Sequence, residues 1–324
     1  MLRILIQHGG SLYSPTLSDK VTWKTERKGV PGKLSFSAVS DERIKQAEEG
    51  DAVQFTETDS KGKISNIFKG YIFKISHDKN GMIKYECYDQ LRYLKAKDTY
   101  VYTSKRADEV VRMICDDFGL RRGTLSDTGY TIPSRIENNT SLFDIINNAL
   151  DLTVENRKKM YVLYDDFGLI RLKNIAEMRA DILIDSSAAE DFSFTSDIDK
   201  ETYNKIKLVY DDPDTKKREI YTAADVNTAR KWGILQYFDT LQKNENGKEK
   251  AKALLSLYNA KTKTLSVKNA FGHNGVRAGS MVFVRLDVGG MKIDSLMLVE
   301  KCSHEWAEGQ HLMTLELKGG DING

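Results

Sequence analysis

Gly50-Asp51-Ala52-Val53-Gln54-Phe55 and Gly279-Ser280-Met281-Val282-Phe283-Val284 are the two stretches on which the fold turns. Each leaves a glycine and runs into residues that favour a pleated, half-buried strand. Their surroundings repeat in the same order. Leu34-Ser35-Phe36 precedes the first as Leu265-Ser266-Val267 precedes the second. A long strand pattern ending Ile75-Ser76-His77 follows the first, and one ending Cys302-Ser303-His304 follows the second. Each histidine leads to a glycine turn, at Gly81 or Gly309, and then to an alternating segment, Met82–Tyr88 or His311–Leu317. Ordered fragments in register predict an internal duplication of a small β unit.

Outward from these stretches the chain divides. Strands are predicted at Val21–Thr25, Leu34–Val39, Ala52–Thr58, Ile67–Ser76 and Met82–Tyr88, with a tight hairpin at Asp78-Lys79-Asn80-Gly81. Ser40 to Glu49 has the pattern of a short helix. Two amphipathic helices follow, one capped by Ser104 and ended by Gly119, the other capped by Thr140. A hairpin is expected at Tyr161–Tyr164 and Leu169–Leu172. Strands are expected at Phe192–Thr195, Lys205–Tyr210 and Glu219–Thr222, with a turn at Asp212-Pro213-Asp214. Helices are expected at Ala224–Trp232 and Lys248–Tyr258. The predicted class is α+β, mostly β, with two related small β-barrels and helical and mixed segments inserted between them. The expected boundaries are 1–95 for the first barrel and 96–158 for a helical segment. A mixed middle unit takes 159–260 and the second barrel 261–324.

Bulk properties narrow the function. The 324 residues are 40% hydrophobic and 30% charged, with 49 basic against 47 acidic residues and a net charge of +2. The signs are interspersed, which argues against a dedicated nucleic-acid binder. Arg157-Lys158-Lys159 is too short to change that. Cys87, Cys115 and Cys302 are far apart and odd in number, a pattern of buried thiols in a reducing compartment. The apolar run in MLRILIQHGG is too short for a signal peptide. No stretch approaches the ~18 apolar residues of a membrane span. The chain is expected to stay soluble, with no stable membrane association.

Chemistry-bearing patterns are few. Asp127-Thr128-Gly129 is the tripeptide of retroviral-type aspartic proteases, which pair two such aspartates around one proton. Here no apolar strand precedes it, and it reads as a turn. Cys302, His304 and His311, with Glu305 or Glu308, form the one soft-ligand cluster. Their spacing matches no zinc motif, and a cross-strand polar pair at a hairpin base is expected instead. His8, His77 and His273 are isolated. Asp165-Asp166-Phe167-Gly168 and Gly289-Gly290 read as hairpin turns. Tyr85, Tyr88, Tyr93, Tyr100 and Tyr102 cluster; a strand ladder of tyrosines can bind sugars or bases, but such residues more often line a core edge or an interface. No catalytic, cofactor-binding or metal-binding residue is assigned, and the chain is not expected to be an enzyme.

Several segments resemble the XkdQ/YqbQ-like tail proteins of contractile-tailed phages and defective prophages. They are Trp23 with Pro31-Gly32-Lys33-Leu34-Ser35-Phe36, Gly50-Asp51-Ala52-Val53 and Phe68-Lys69-Gly70-Tyr71-Ile72-Phe73. Tyr88-Asp89-Gln90-Leu91-Arg92-Tyr93-Leu94 with Asp98-Thr99-Tyr100, Asp127-Thr128-Gly129-Tyr130 and Trp232-Gly233-Ile234-Leu235-Gln236 complete the series. The resemblance implies a trimeric baseplate hub that adapts a hexameric tail tube to a central spike. The implied partners are two further copies, the tail tube protein, the spike and baseplate wedge proteins, with DNA only as passing cargo. The implied location is a virion or tail-like particle, with assembly in the host cytoplasm. The alternative is a tail-associated module that binds or degrades carbohydrate or cell wall.

Overall fold

The computed structural model describes residues 1–41, 46–213, 215–241 and 245–319. Of the helix expected from Ser40 to Glu49, residues 42–45 lie outside them, and the described flanks, Ser40–Asp41 and Gln46–Glu49, carry no α-helix. Asp214 of the expected turn also lies outside.

The N-terminal part is all strand: β1 Leu2–His8, β2 Ser11–Tyr13, β3 Val21–Glu26, β4 Lys33–Val39, β5 Ala52–Thr58, β6 Ile64–His77 and β7 Met82–Tyr88. Alternation sets which face is buried. Along β3, Val21, Trp23 and Thr25 point inward, and along β4 Leu34, Phe36 and Ala38 do so. A 3₁₀ turn, Gln90–Lys95, leads out.

Next come β8 Lys97–Lys105, α1 Ala107–Asp117, β9 Arg122–Leu125, β10 Ile132–Ser141, α2 Leu142–Arg157, β11 Tyr161–Asp165 and β12 Ile170–Asn174. The helices bury the predicted faces: Val110, Val111 and Ile114 on α1, Ile145, Ile146 and Ala149 on α2. Their starts differ from expectation. β8 runs through Ser104, so α1 begins after Arg106, whose N–H is taken by the Glu109 carboxylate at 2.8 Å. α2 is capped by Ser141 rather than Thr140, with Asp144 N donating to Ser141 Oγ at 3.1 Å. This segment, expected to be helical, thus also carries three strands.

The chain continues with β13 Arg179–Ile184 and β14 Asp191–Asp197. A small unit follows: β15 Lys205–Asp211, β16 Arg218–Ala224, α3 Val226–Trp232, β17 Gln236–Thr240 and α4 Gly247–Tyr258. There α4 covers the three-stranded sheet β16-β15-β17 over Ile206, Leu208 and Leu254. β18 Thr262–Phe271, β19 Met281–Val288, β20 Met291–Ala307 and β21 Gln310–Gly319 complete the fold.

The strands of both ends form one 13-stranded sheet. Its first half reads β3-β4-β7-β6-β5-β1 and its second β14-β18-β21-β20-β19-β13. These are the same order, strand for strand, so the duplication read from the two glycine-led stretches extends to six strands. The match reaches single bonds. Gly50 N donates to Ile72 O at 2.8 Å and Ile72 N to Asp51 O at 2.9 Å. Gly279 N donates to Val299 O at 2.8 Å and Val299 N to Ser280 O at 2.9 Å. A bulge skips Phe73 on β6 and Glu300 on β20, at matching places. Gly50 and Gly279 hold φ of +99° and +92°, a backbone that only glycine adopts without strain. The halves differ at one edge, where β1 joins β5 antiparallel but β13 joins β19 parallel. Each half has its own apolar core. Among the described residues the pairing closes neither half on itself.

Candidate functional site

The halves are joined where β20, beyond its bulge, pairs with β3: Lys301 faces Glu26, Cys302 Thr25, His304 Trp23 and Trp306 Val21. The inward residues build a stack. His304 lies between Trp23 and Trp306, at ring-centre distances of 5.3 and 5.6 Å, and His311 stacks on Trp306 at 4.2 Å. His304 Nε2 is 2.9 Å from the Val276 carbonyl, which can only accept, so Nε2 carries the proton. His304 Nδ1 is then left to accept from His311 Nε2 at 2.9 Å. Burial, with the adjacent His311, pushes the His304 pKa down to about 3, and burial lowers His311 as well. The junction therefore holds two neutral imidazoles. Arg27 clasps Glu300 at its rim, through Nε at 2.8 Å and Nη2 at 3.0 Å.

This settles the geometry of the soft-ligand cluster. Cys302 Sγ and His304 Nε2 are 3.1 Å apart, but that nitrogen is already donating to a carbonyl. Glu305 turns outward to Lys20, and Glu308 forms the turn at φ +51°. His304 and His311 do face each other across the hairpin, diagonally, since His311 sits opposite Trp306. Among the described residues a different trio, His8, Glu48 and Asp51, brings three ligand atoms within 4.8 Å of one another.

A second node sits beside the first. The Arg277 guanidinium lies 4.4 Å from the Tyr164 ring centre and 5.6 Å from that of Trp23, and its Nη1 donates to Asp165 O at 2.8 Å. The segment Tyr88–Leu94 meets it. Asp89 accepts from Gly32 N at 2.9 Å and Leu91 N at 3.1 Å, capping the 3₁₀ turn. Gln90 donates to Asp165 Oδ2 and Arg121 O, both at 2.9 Å, and accepts from Arg121 N at 3.0 Å. Burial and the neighbouring Asp165 raise the Asp89 carboxyl, while Arg277 pulls it down. Burial likewise raises Asp165. Gly32 is required here, because a Cβ would lie 2.4 Å from Asp89 Oδ2. A cavity of about 300 Å³ opens beside the node, against Asn66, Tyr164, Lys173, Asn274 and Arg277.

One place thus binds the N-terminal half, the helical unit and the C-terminal half. It gathers Trp23, Gly32 and Asp89-Gln90 of the conspicuous segments. Arg277 and Asp165 carry no local signal of this role: the first is an arginine in a loop, the second a turn residue.

The remaining candidates stand apart. Asp127 is exposed, ion-paired to Arg106 at 3.0 Å and accepting from Gly129 N at 2.7 Å, a turn as expected. Thr128 instead donates to the buried Asp108. Burial pushes Asp108 up, but bonds from Arg106 and Thr128 outweigh it and hold the carboxyl below its ordinary range. Asp165–Gly168 is a hairpin turn, with Gly168 N on Asp165 Oδ1 at 2.6 Å. The five tyrosines form no ladder. Tyr85 is buried against Phe36, Tyr88 and Tyr93 flank Phe73, and Tyr100 and Tyr102 pack in the helical core. His8 bonds Asp51 at 3.0 Å, and His77 and His273 are exposed.

The YQBQ-like family model matches residues 21–318. The protein YqbQ of Bacillus subtilis strain 168 is 28% identical, over 83% of this chain and 81% of its own length. The phage-like element PBSX protein XkdQ of the same organism is 26% identical, over 93% of this chain and 92% of its own. The crystal structure of the 43 kDa tail protein of prophage MuSo2 from Shewanella oneidensis shares the fold. Its TM-score is 0.68 at 13% identity, covering 97% of this chain and 98% of that one.

Proposed function

The chain belongs to the YQBQ-like family, and from that premise we propose that it is a structural subunit of a phage-type tail, the baseplate hub joining tube to spike. Three copies would present six similar sheet halves to a hexameric tube protein while holding a three-fold spike and meeting wedge proteins on the outside. Residues 1–95 would form the first tube-forming barrel. Residues 261–324, with β13 and β14, would form the second, and 96–158 and the rest of 159–260 would stand as inserts. The role is geometric rather than catalytic. DNA passes the lumen without being held, and the protein resides in the virion or tail-like particle after assembly in the host cytoplasm, without stable membrane association.

The observation that carries this reading is the duplication itself, six strands in one order with matching bulges and glycine-led bonds. A doubled unit lets three-fold symmetry imitate six-fold. The test is native mass across concentration, alone and with neighbouring tail proteins. A species of three times 36.8 kDa is expected. A monomer under every condition would sink the hub reading.

A further inference from the structure

We infer that the outer edge of β14 pairs antiparallel with Lys74–His77 of β6 in a second copy of this chain, reproducing between chains the β3–β20 junction found within one. The inference deepens the hub reading, on which it rests for a closed ring, but strand pairing and copy number are measured separately.

The two halves match strand for strand, so β3 corresponds to β14 and β20 to β6. Trp23 faces Leu34 as Phe194 faces Leu265, and Cys302 faces Leu315 as Ile75 faces Tyr85. Within the chain, β3 occupies the edge that β19 leaves free beyond the β20 bulge. The same edge of β6 lies beyond the last β5 pair, Tyr71 with Ala52, and no described strand pairs there. β14 ends the sheet and pairs β18 alone. Each half thus carries one half of a junction whose complete form is already present at the centre of the molecule.

Burial follows. Val21, Trp23, Cys302, His304 and Trp306 are buried in the internal junction. Their counterparts Phe192, Phe194 and Ile75 are half-buried, and His77 and Lys79 are exposed. An uncovered edge of this kind is normally blunted or used.

The side chains complement each other position by position. Superposing the junctions sets Lys74 opposite Asp197, where Lys301 faces Glu26. It sets His77 opposite Phe194, where His304 faces and stacks on Trp23. At the bulge the chemistry changes on both sides together. Glu300 and Arg27 form an ion pair, and their counterparts Phe73 and Ile198 are both apolar and both half-buried. One position brings two acids near, Asp78 and Asp191, but each is engaged locally. Asp78 accepts from Asn80 N and Met82 N, and Asp191 pairs with Lys268.

The pairing fixes where a cross-link will form. Arg27 N donates to Glu300 O at 3.0 Å. Counting alternately from that bonded pair makes Lys24–Ser303 a non-bonded pair, the kind with the closest Cα atoms and room for a disulfide. Its counterpart between chains is Thr195–Ser76. The native cysteines are all buried and do not compete. The chain carrying Ser76→Cys and Thr195→Cys is oxidised and run without reductant, and its native mass is taken in parallel. Most of the chain is expected in covalently linked oligomers, and an equimolar mixture of the two single variants is expected to give linked pairs only. A trimeric mass without cross-links overturns this interface and leaves the hub standing. Cross-linked open chains with no trimer uphold the interface and sink the three-copy ring. A monomer without cross-links overturns the interface. As a second measurement, Ser196→Pro removes an N–H aimed at the outer edge, as Thr25 aims its own at Cys302. It should shift the mass to monomer with the far-ultraviolet spectrum unchanged, and an unshifted mass counts against the pairing.

Discussion

Acidification should loosen the junction between the sheet halves, and His304 sets the size of the effect. In the folded chain its pKa is about 3, against an ordinary value of about 6.5 when unfolded. Between these limits the unfolded chain takes up a proton that the folded chain refuses. Stability is therefore fully present above the unfolded pKa and falls as pH drops towards the folded one, at about 1.4 kcal/mol per pH unit. From about pH 7.5 to about pH 5 the loss from this side chain is about 2 kcal/mol. His311, also lowered, adds in the same direction. Asp89 and Asp165 oppose it, because their raised carboxyls favour the folded state on acidification. The measurement is therefore a difference: urea unfolding of the native chain and of His304→Gln at both pH values. Glutamine keeps a donor for Val276 O but does not titrate. The native chain should lose about 2 kcal/mol more than the variant over this interval. Parallel losses in the two proteins would refute the neutral, buried imidazole.

Three glycines should rank by what a methyl group meets. At Gly70 a Cβ would lie 2.2 Å from the Tyr88 carbonyl, so Gly70→Ala should cost most, about 3 kcal/mol or more by thermal melting. Gly32→Ala displaces only the Asp89 cap and should cost about 2 kcal/mol. Gly50→Ala meets open space at φ +99° and should cost about 1 kcal/mol. Arg277→Met removes the cation between Tyr164, Trp23 and the buried carboxylates, and urea denaturation should show a loss of about 3 kcal/mol. Asp127→Asn removes an exposed ion pair and should change stability by less than about 1 kcal/mol.

Elements set by local signals are legible in the sequence. β5 and β7 have the predicted ends, Ala52–Thr58 and Met82–Tyr88, because alternation and bounding glycines act over a few residues. The helix faces were legible for the same reason. The helix starts differ because Thr140 and its neighbour Ser141 are both plausible caps, and because strand pairing takes Ser104 out of the cap of α1. Lys105 pairs with Ile132, which carries β8 past Ser104. Long-range pairing left no such mark. Nothing in Asp191–Asp197 announces Thr262–Lys268 as its partner, and nothing in Val21–Glu26 announces β20. The Tyr88–Leu94 segment is distinctive for a reason the sequence could not supply: Asp89 ties its own turn to Gly32, and Gln90 binds two other segments of the chain, at Arg121 and Asp165.

A duplicated unit with matching edges faces a problem of its own, since each free edge resembles a junction already made. β14 could displace β3 and capture β20 of its own or another chain, giving a swapped or open assembly. The bulge position discriminates against this. β14 on β20 would set Ile198 against Glu300 and strip Arg27 of its partner. β3 on β6 would set Arg27 against Phe73. Either mispairing leaves a charge facing an apolar side chain at a half-buried rim, where the internal pairing joins opposite charges and the proposed outer one would join two apolar side chains. An unpaired, partly desolvated charge costs more than an exposed ion pair contributes. The ion pair of Arg27 with Glu300 thus acts less as a source of stability than as a label for the internal junction. In the proposed pairing between chains Phe73 with Ile198 would label the outer junction, so the order of halves around a ring would be written in two residue pairs rather than in the strands themselves.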